Sequence, residues 1–500
     1  MENVAAISKS PPVEYEAQVA SPLGSGKGAM VIGGAGLRVS LLFDTVEIPF
    51  AQMNALVMAD YAVTVRSDSG DFTFSRMGSW CEPFYGALCD AYNEAVRRSL
   101  FLTGDVLLQA VGEYRYEESP GADGGVGAGT GYSAGGPYGN GGKAPVLVYE
   151  NCVAVLPPDL GARRIPLCFA NGMDKGNYAL TLSVGGGGRI PGVAPNGRNG
   201  ADGLWPPAGA DAGAAPLAKG AAGGAGGPSG RYTFAKLGYD TDPFADILEK
   251  QIRRLREKAA ATAREIDPGL TPMQASRIGA LIPEGAAAPI GELAAIAPGF
   301  AAALEEKIGT TRAAESFEVF KRLCVPGQIY VGFKKNEGAW GLLAAIGAGF
   351  PEAGTAGGGG PGAMSDGGVS GGGPMAVQTA GMAAGPDPYL IWLVAPSPDF
   401  RYAAVEFAAA DSATFVYGTG GDFHGFAAQL NRALEAIAFR REVIRLTDEE
   451  LRKPENADYY MASKRTAALQ FVRAHFAGRV IHSTPAAWER KLLEMWGMGA

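Results

Sequence analysis

The sequence has 500 residues, 74 of them glycine, and a formal net charge of −8 at neutral pH. An acidic balance of this kind differs from the basic excess of a general nucleic-acid-binding protein, so we expect no nucleic-acid partner. No apolar run reaches the roughly 18 residues that a membrane-spanning helix needs, so we also expect no transmembrane segment.

Cysteine usage predicts a reducing compartment. The number of cysteines is odd and no pair has Cys-x-x-Cys spacing, which argues against a disulfide framework or a zinc site. The first residues lack the charged start and apolar core of a signal peptide. We therefore expect a cytoplasmic protein. The cysteines are Cys81, Cys89, Cys152, Cys168 and Cys324.

Glycine is concentrated in three windows. Residues 119–142, 185–230 and 352–385 hold 11, 16 and 13 of the 74 glycines. Segments of this composition bury too little apolar surface to offset their chain entropy, so we interpret them as disordered inserts. We expect residues 1–12 to be a disordered N-terminus.

The first structural unit is predicted over residues 13–103. Short runs rich in β-branched and aromatic residues, separated by glycine, serine and aspartate, indicate about six strands. A helix follows, because apolar residues then recur at helical spacing and form one stripe, which we expect to be core. The stripe consists of Phe84, Leu88, Tyr92, Ala95 and Val96.

Residues 104–258 repeat this unit. Ile-Pro-Phe at 48–50 matches Ile-Pro-Leu at 165–167, and Phe-Thr-Phe at 72–74 matches Tyr-Thr-Phe at 232–234. Glu-Pro-Phe and Asp-Pro-Phe then open the two helices, with an acidic residue and a proline where a helix start favours them. The apolar stripe of the second helix consists of Phe244, Leu248, Ile252 and Leu255. An internal repeat of this kind determines the architecture.

The second copy differs from the first mainly by insertion. The first copy joins its last two strands through the tight turn Asp68-Ser69-Gly70, whereas the second carries residues 185–230 at the same point. Closure entropy grows slowly with loop length, so we expect this window to be an enlarged hairpin loop.

The chain then becomes helical. Proline recurs through residues 259–324 and separates four short helical segments, predicted at 271–282, 289–296, 300–308 and 313–323. Residues 325–446 predict a degenerate third copy, with strands at 328–334, 389–394, 401–407 and 413–417 and a helix after Gly418. Residues 447–500 are predicted to be C-terminal helices, at about 455–477 and 485–496.

Several short strands followed by one amphipathic helix resemble the layout of pleckstrin-homology-like (PH-like) domains. The resemblance implies an α+β protein of tandem PH-like barrels, each a bent antiparallel sheet closed by a C-terminal helix. It also implies binding rather than catalysis, with peptides, proteins or lipid headgroups as partners. Lipid-headgroup binders of this class use basic residues between the first two strands. Here the loops at 20–29 and 117–144 contain only Lys27 and Lys143, which argues against phosphoinositide binding.

The candidate motifs for catalysis and metal binding do not have the residue spacing that these functions require. Residues 24–28, Gly-Ser-Gly-Lys-Gly, lack the earlier glycine and the Ser or Thr after lysine that a P-loop needs. The last two of His424, His475 and His482 are seven residues apart, which does not place two ligands on one helical face. We therefore predict no catalytic residue, cofactor or metal ligand.

Two basic regions remain as candidate contacts. The first is the run at 250–258, expected to be a solvated helix face that is still able to touch an anion. The second is a C-terminal cluster that either receives an acidic partner or packs as a helical hairpin. It consists of Arg465, Arg473, His475, Arg479, His482 and Trp488.

Three functional hypotheses follow. The first is a non-enzymatic cytoplasmic scaffold or adaptor whose modules bind a protein or peptide along an edge strand. The second is a peripheral membrane-surface adaptor that uses the basic helices on anionic lipid. The third is an enzyme with an unrecognised site between repeats, near Arg473 and His482.

Overall fold

The protein has an α+β architecture with three antiparallel sheets. The computed structural model describes residues 14–102, 104–118, 141–156, 162–185, 230–335, 389–408, 413–440 and 442–498. The expected disorder of residues 1–12, and of nearly all of the three glycine-rich windows, lies outside these residues.

The first sheet contains seven strands in the order β4-β3-β2-β1-β7-β6-β5. Alternate residues point into the core, as at Val63 and Val65 of β6, because successive side chains of a strand face opposite sides. The strands are β1 (Glu14–Ser21), β2 (Gly24–Ile32), β3 (Gly36–Ser40), β4 (Thr45–Pro49), β5 (Met53–Ala59), β6 (Ala62–Ser67) and β7 (Gly70–Ser75).

Helix α1 (Cys81–Ser99) follows the first sheet and packs on it. The side chains of its predicted apolar stripe are all buried, so the interpretation of the stripe as core is confirmed. We call β1–β7 with α1 copy one.

The second sheet has the same strand order, β11-β10-β9-β8-β14-β13-β12, and is followed by helix α2 (Thr241–Ile266). The apolar stripe of α2 is also buried. We call this unit copy two. Its strands are β8 (Leu108–Glu118), β9 (Gly141–Val148), β10 (Cys152–Val155), β11 (Arg163–Pro166), β12 (Ala170–Lys175), β13 (Ala179–Val184) and β14 (Gly230–Ala235).

The two copies agree in local detail. A hydrogen bond of 3.1 Å joins the hydroxyls of Thr64 and Thr73 in copy one, and another of 3.1 Å joins Thr181 and Thr233 at the matching place in copy two. Short 3-10 helices precede both β5 and β12, and a β-bulge interrupts the start of each of these strands. These matches support the internal repeat predicted from the motifs.

Neither sheet closes into a barrel. Among the described residues, no strand pairing joins β4 to β5 or β11 to β12, so each sheet keeps two edges. The 3-10 helices Phe50–Gln52 and Leu167–Phe169 carry the chain from one edge to the other in place of a hydrogen-bonded ladder. The expected closed barrel is therefore corrected to an open sheet with a helix packed against it.

The glycine-rich windows connect neighbouring strands. Arg115 pairs with Gly141, Val184 with Gly230, and Lys335 with Tyr389, so paired antiparallel strands flank each of the three. The prediction that residues 185–230 join two strands of a hairpin is confirmed.

The predicted helical segment contains four α-helices. Their bounds agree with the sequence prediction to within two residues. Prolines lie at or just before three of the four starts, and a Thr271–Gln274 capping box adds to the first. The helices are α3 (Pro272–Leu281), α4 (Ile290–Ile296), α5 (Pro298–Gly309) and α6 (Ala314–Leu323).

The third sheet is a six-stranded meander in the order β15-β16-β17-β18-β19-β20. This order differs from that of copies one and two, because β15 comes from the helical segment and β20 from the C-terminal region. The strands are β15 (Ala288–Pro289), β16 (Tyr330–Lys335), β17 (Tyr389–Pro396), β18 (Tyr402–Phe407), β19 (Ala413–Gly418) and β20 (Phe476–Ile481).

The C-terminal region is helical except for β20. The prediction of helix up to residue 477 is wrong there, since Phe476–Ile481 pairs with β19 and buries Val480 in the core that the third sheet shares with the helical segment. The helices are α7 (Phe423–Ala436), α8 (Glu442–Arg445), α9 (Asp448–Leu451), α10 (Ala457–Arg465), α11 (Ala467–Ala474) and α12 (Pro485–Met495). The domain boundaries proposed from the sequence stay a prediction.

A buried ion pair connects copy two to helix α7, which follows β19 of the third sheet. Arg164 on β11 binds both carboxylate oxygens of Glu435 on α7, with 2.7 Å between Nη2 and Oε1. The two side chains are only 5% and 6% exposed. Each charge therefore depends on the other for its compensation.

Candidate functional site: a groove beside an edge strand

Strand β12 is an edge of the second sheet. It pairs with β13 on one side, and in the described part of the chain no strand lies on its other side. A bulge between Ala170 and Gly172 shifts the register at its start. Edge strands present unpaired backbone N–H and C=O groups, and these groups are a template for an added strand.

A cavity of about 360 Å³ lies between β12 and α2. We call it the copy-two groove. Its floor is apolar and one wall carries charged side chains of α2. The lining residues are Ala170, Gly172, Met173, Glu249, Ile252, Arg253 and Arg256.

The charged wall follows from helical periodicity. Ile252 belongs to the buried stripe of α2, and Glu249, Arg253 and Arg256 lie beside that stripe. Glu249 and Arg253, four residues apart, form an exposed ion pair of 3.5 Å. Arg256 donates from Nη2 to the carbonyl oxygen of Ala170 at 2.9 Å, and desolvation of its guanidinium lowers its pKa although the side chain remains exposed. The arginine thus ties α2 to the start of the edge strand.

The matching place in copy one is occupied by the chain's own helix α10. This helix packs on α1 and on the 3-10 helix before β5. Arg465 Nη2 donates to the carbonyl oxygen of Met53 at 3.3 Å, and Lys464 Nζ donates to that of Ala51 at 3.3 Å. Met53 and Ala170 are the first residues of β5 and β12. Equivalent carbonyls therefore accept from an arginine in both copies, although the arginines come from different helices.

Asp68 anchors α10 on copy one. Lys464 Nζ lies 3.0 and 3.2 Å from its carboxylate oxygens, and Tyr460 donates to Oδ2 at 2.7 Å. Burial alone would raise the pKa of Asp68, but the hydrogen bonds from Asn54, Tyr460 and Lys464 hold it below its ordinary value. The turn between β6 and β7 therefore supplies the negative charge that receives α10.

The remaining contacts of α10 combine a well-packed apolar side chain with a buried guanidinium that is incompletely hydrogen-bonded. Met461 is 2% exposed and belongs to the core of copy one. Arg465 places its guanidinium 5.1 Å from the ring centre of Tyr92, but its Nε is buried without a hydrogen-bond partner. Burial lowers the pKa of Arg465 to about 10. The apolar contacts of α10 must therefore offset a desolvated charge.

Matched positions on the two helices differ in character. Alignment of Phe84 with Phe244 pairs Cys89, Asn93 and Val96 of α1 with Glu249, Arg253 and Arg256 of α2. Cys89 and Val96 are buried, whereas their counterparts are exposed. Copy one therefore has a covered face where copy two has a charged, accessible one. The sequence motifs do not predict this site, but the difference between the two aligned helices is a signal for it.

The basic run at 250–258 does not form a single face. Arg253 and Arg256 line the copy-two groove, while Lys258 extends to Glu284, with 3.6 Å between charged atoms. A second cavity of about 20 Å³, room for about one water molecule, lies beside Lys258 and Glu284. The glycine-rich run at 24–28 lies in β2, where Lys27 pairs with Glu16 at 2.7 Å.

The three histidines lie in different environments. His424 Nδ1 is 2.6 Å from the Tyr330 hydroxyl, and His475 stacks on Phe471 with 4.0 Å between ring centres. His482 Nε2 is 3.0 Å from the Thr414 hydroxyl. Within the described ranges, no group of three or more His, Cys, Asp or Glu side chains is placed to hold a metal ion.

The structure divides the predicted C-terminal cluster. Arg465 lies against copy one, and Arg473 donates to the carbonyl oxygens of Val443 and Leu446 at 2.6 and 2.7 Å. Trp488 Nε1 donates to Thr414 at 3.0 Å, and Thr414 donates to the buried carboxylate of Glu406 at 2.9 Å. This Glu406–Thr414 network was not predicted from the sequence.

No protein-family model matches the sequence, and no curated protein matches it.

All five cysteines are free thiols. Among the residues that the structure describes, no helix is both long and apolar enough to cross a membrane.

Proposed function

We propose that the protein is a non-enzymatic cytoplasmic scaffold of PH-like modules, and that copy two binds a protein or peptide segment in the groove between β12 and α2. The carrying observation is the difference between the copies: α10 fills this place in copy one, and the same place in copy two is accessible. Helix α10 thus shows that this position beside the edge strand can receive another segment of chain.

The strand order supports the PH-like assignment. In both copies the first strand pairs with the second and the seventh, and a helix follows the seventh strand. An open antiparallel sheet with a helix on it leaves an edge strand and a helix side by side. Added-strand recognition uses this arrangement, with backbone hydrogen bonds for affinity and side-chain pockets for specificity.

The other two hypotheses have weaker support. Lys258, Arg465 and Arg473 each bind a carboxylate or carbonyl of the chain itself, so they do not present one basic surface to a membrane. Arg473 and His482 contact different elements, α8 and β19, and no shared site forms between them in the described residues.

The test is selection of binders from a random peptide display library on the full-length protein. A Met173→Trp variant places a large ring in the groove, because Met173 lines the cavity and is only half-buried against the copy-two core. The matched control is Met273→Trp on α3, where the methionine is 70% exposed and lies outside the groove lining. We expect selected peptides to bind the wild type and the control and to lose binding to Met173→Trp. Equal binding to all three proteins contradicts the proposal.

A further inference from the structure

We infer that the copy-two groove selects an acidic segment with one large apolar side chain. This inference rests on the proposed function and names the chemistry of the partner. It is derived from the charges of the groove and from the contrast with the helix that fills the matching place in copy one.

The side chains of the groove favour an acidic occupant. Its lining contains two arginines and one glutamate, in a chain whose net charge is −8. Arg253 is 65% exposed and extends from the wall, with Glu249 as its ion-pair partner at 3.5 Å. A carboxylate on the incoming segment adds a second anion to this arginine. Charge complementarity of this kind determines partner choice and association rate more than raw affinity.

The floor of the groove favours an apolar anchor. Ile252 is 7% exposed and belongs to the copy-two core, and Met173 packs half-buried against that core. Methionine is unbranched and adapts its shape to the group that covers it. Gly172 has no side chain, so an incoming backbone is able to approach the strand closely. An apolar residue of the partner therefore fits over Ile252 and Met173.

A second copy of α10 is a poor occupant. In copy one the basic end of α10 is received by the Asp68 carboxylate and the Met53 carbonyl. In copy two the matching carbonyl, that of Ala170, already accepts from Arg256. Lys464 and Arg465 of another molecule would also face Arg253 and Arg256, and this like-charge contact disfavours self-association through the groove.

The experiment is a charge swap on the full-length protein. The probes are two synthetic peptides of the same length, one alternating Glu with Val around a central Leu and the other with Lys in place of Glu. We expect the Glu peptide to bind the wild type and to bind Arg253→Glu at least about tenfold more weakly. The Lys peptide should show the opposite preference. Raising the salt concentration should weaken both favoured pairs.

The control is Lys250→Glu, the same charge change on an exposed residue of α2 outside the groove lining. It should leave binding of the Glu peptide within about twofold of wild type, because a surface charge beyond the contact contributes little. Equal binding of the two peptides to the wild type, or equal losses in Arg253→Glu and Lys250→Glu, overturns the inference.

The outcomes separate this inference from the proposed function. Library binders that depend on the groove but lack acidic residues overturn the inference and leave the groove as a docking site. Failure to select any binder sensitive to Met173→Trp overturns both. A third outcome is that neither synthetic peptide binds, while the library yields acidic binders that depend on the groove. This outcome would contradict the alternating pattern of the synthetic peptides and overturn the single apolar anchor.

Discussion

Met53 and Ala170 begin the edge strands of the two copies, and the backbone carbonyl of each accepts a hydrogen bond from an arginine guanidinium. In copy two the arginine is Arg256 of the adjoining helix. In copy one it is Arg465, which lies 412 residues from Met53 along the chain. The carbonyl at this position thus accepts its hydrogen bond from the adjoining helix in copy two and from a helix distant in sequence in copy one.

Replacing Arg256 by glutamine should lower the stability of copy two by about 1 kcal/mol, because the Ala170 carbonyl loses its donor. Urea denaturation followed by circular dichroism measures the change. Arg254→Gln serves as the comparison, since Arg254 reaches Glu150 across an exposed ion pair of 2.8 Å and should cost less. Equal losses of stability in the two variants would show that the hydrogen bond from Arg256 to the Ala170 carbonyl contributes no more than an exposed ion pair.

Replacing Arg465 by methionine should leave stability unchanged or raise it by about 1 kcal/mol, since an incompletely bonded buried charge is exchanged for apolar volume. Met461→Ala should instead cost about 2–4 kcal/mol by opening a cavity under α10. Hydrogen exchange of the α10 amides reports both effects. Faster exchange in Arg465→Met than in Met461→Ala would mean that the guanidinium, rather than the apolar contact, holds the helix.

Acid should weaken the attachment of α10 through Asp68. The pKa of this carboxyl is lowered in the folded protein from its ordinary 3.8, so its contribution is fully present above that pH. The contribution is lost as the pH falls below 3.8 through the folded value. The stability difference between wild type and Asp68→Asn should therefore be constant near neutral pH and shrink in acid. A difference that grows as the pH falls would contradict this assignment.

Glu435→Gln should destabilise the protein by about 3–5 kcal/mol, because it leaves the buried Arg164 without its counter-charge. The double variant Arg164→Met with Glu435→Leu should recover most of that loss, since neither charge then remains in the interior. Thermal melts of the wild type, the single variant and the double variant decide the matter. A double variant as unstable as the single one would show that the pair contributes more than mutual neutralisation.

The thiols should react slowly in the native protein. Burial raises the pKa of Cys89 and Cys152 to about 11 and that of Cys324 to about 12, so little thiolate is present at pH 8. Titration with a chromogenic disulfide reagent should find few rapidly reacting thiols in buffer and five in denaturant. Rapid reaction of most thiols without denaturant would show that these cores open readily.

The sequence predicted the parts of the fold that depend on local pattern. Repeated motifs revealed copies one and two, and proline spacing located α3 to α6, because both signals lie within short stretches of chain. Strand β20 was missed because its pairing with β19 joins residues about 60 apart and follows directly on a helix. The open edges of the sheets were missed because hydrogen bonding between distant strands leaves no periodic signal.

The groove is harder to predict from the sequence than the fold is. The sequence predicts an ordinary solvated helix face for the exposed charged residues Glu249, Arg253 and Arg256. Only the position of α10 on copy one shows that this face adjoins a docking position. The contact of α10 with copy one joins residues about 400 apart. Pattern analysis within a window detects no such contact.

The register of the second sheet has a consequence for how this chain can change over evolutionary time. Gly230 pairs with both Val184 and Glu118, so the two inserts of copy two leave the sheet side by side, after the last paired residues of their strands. Codons added or lost within residues 119–140 or 186–229 alter no strand partner and no core residue among those that the structure describes. The inserts can therefore vary in length from one lineage to another while the sheet that carries them is inherited intact.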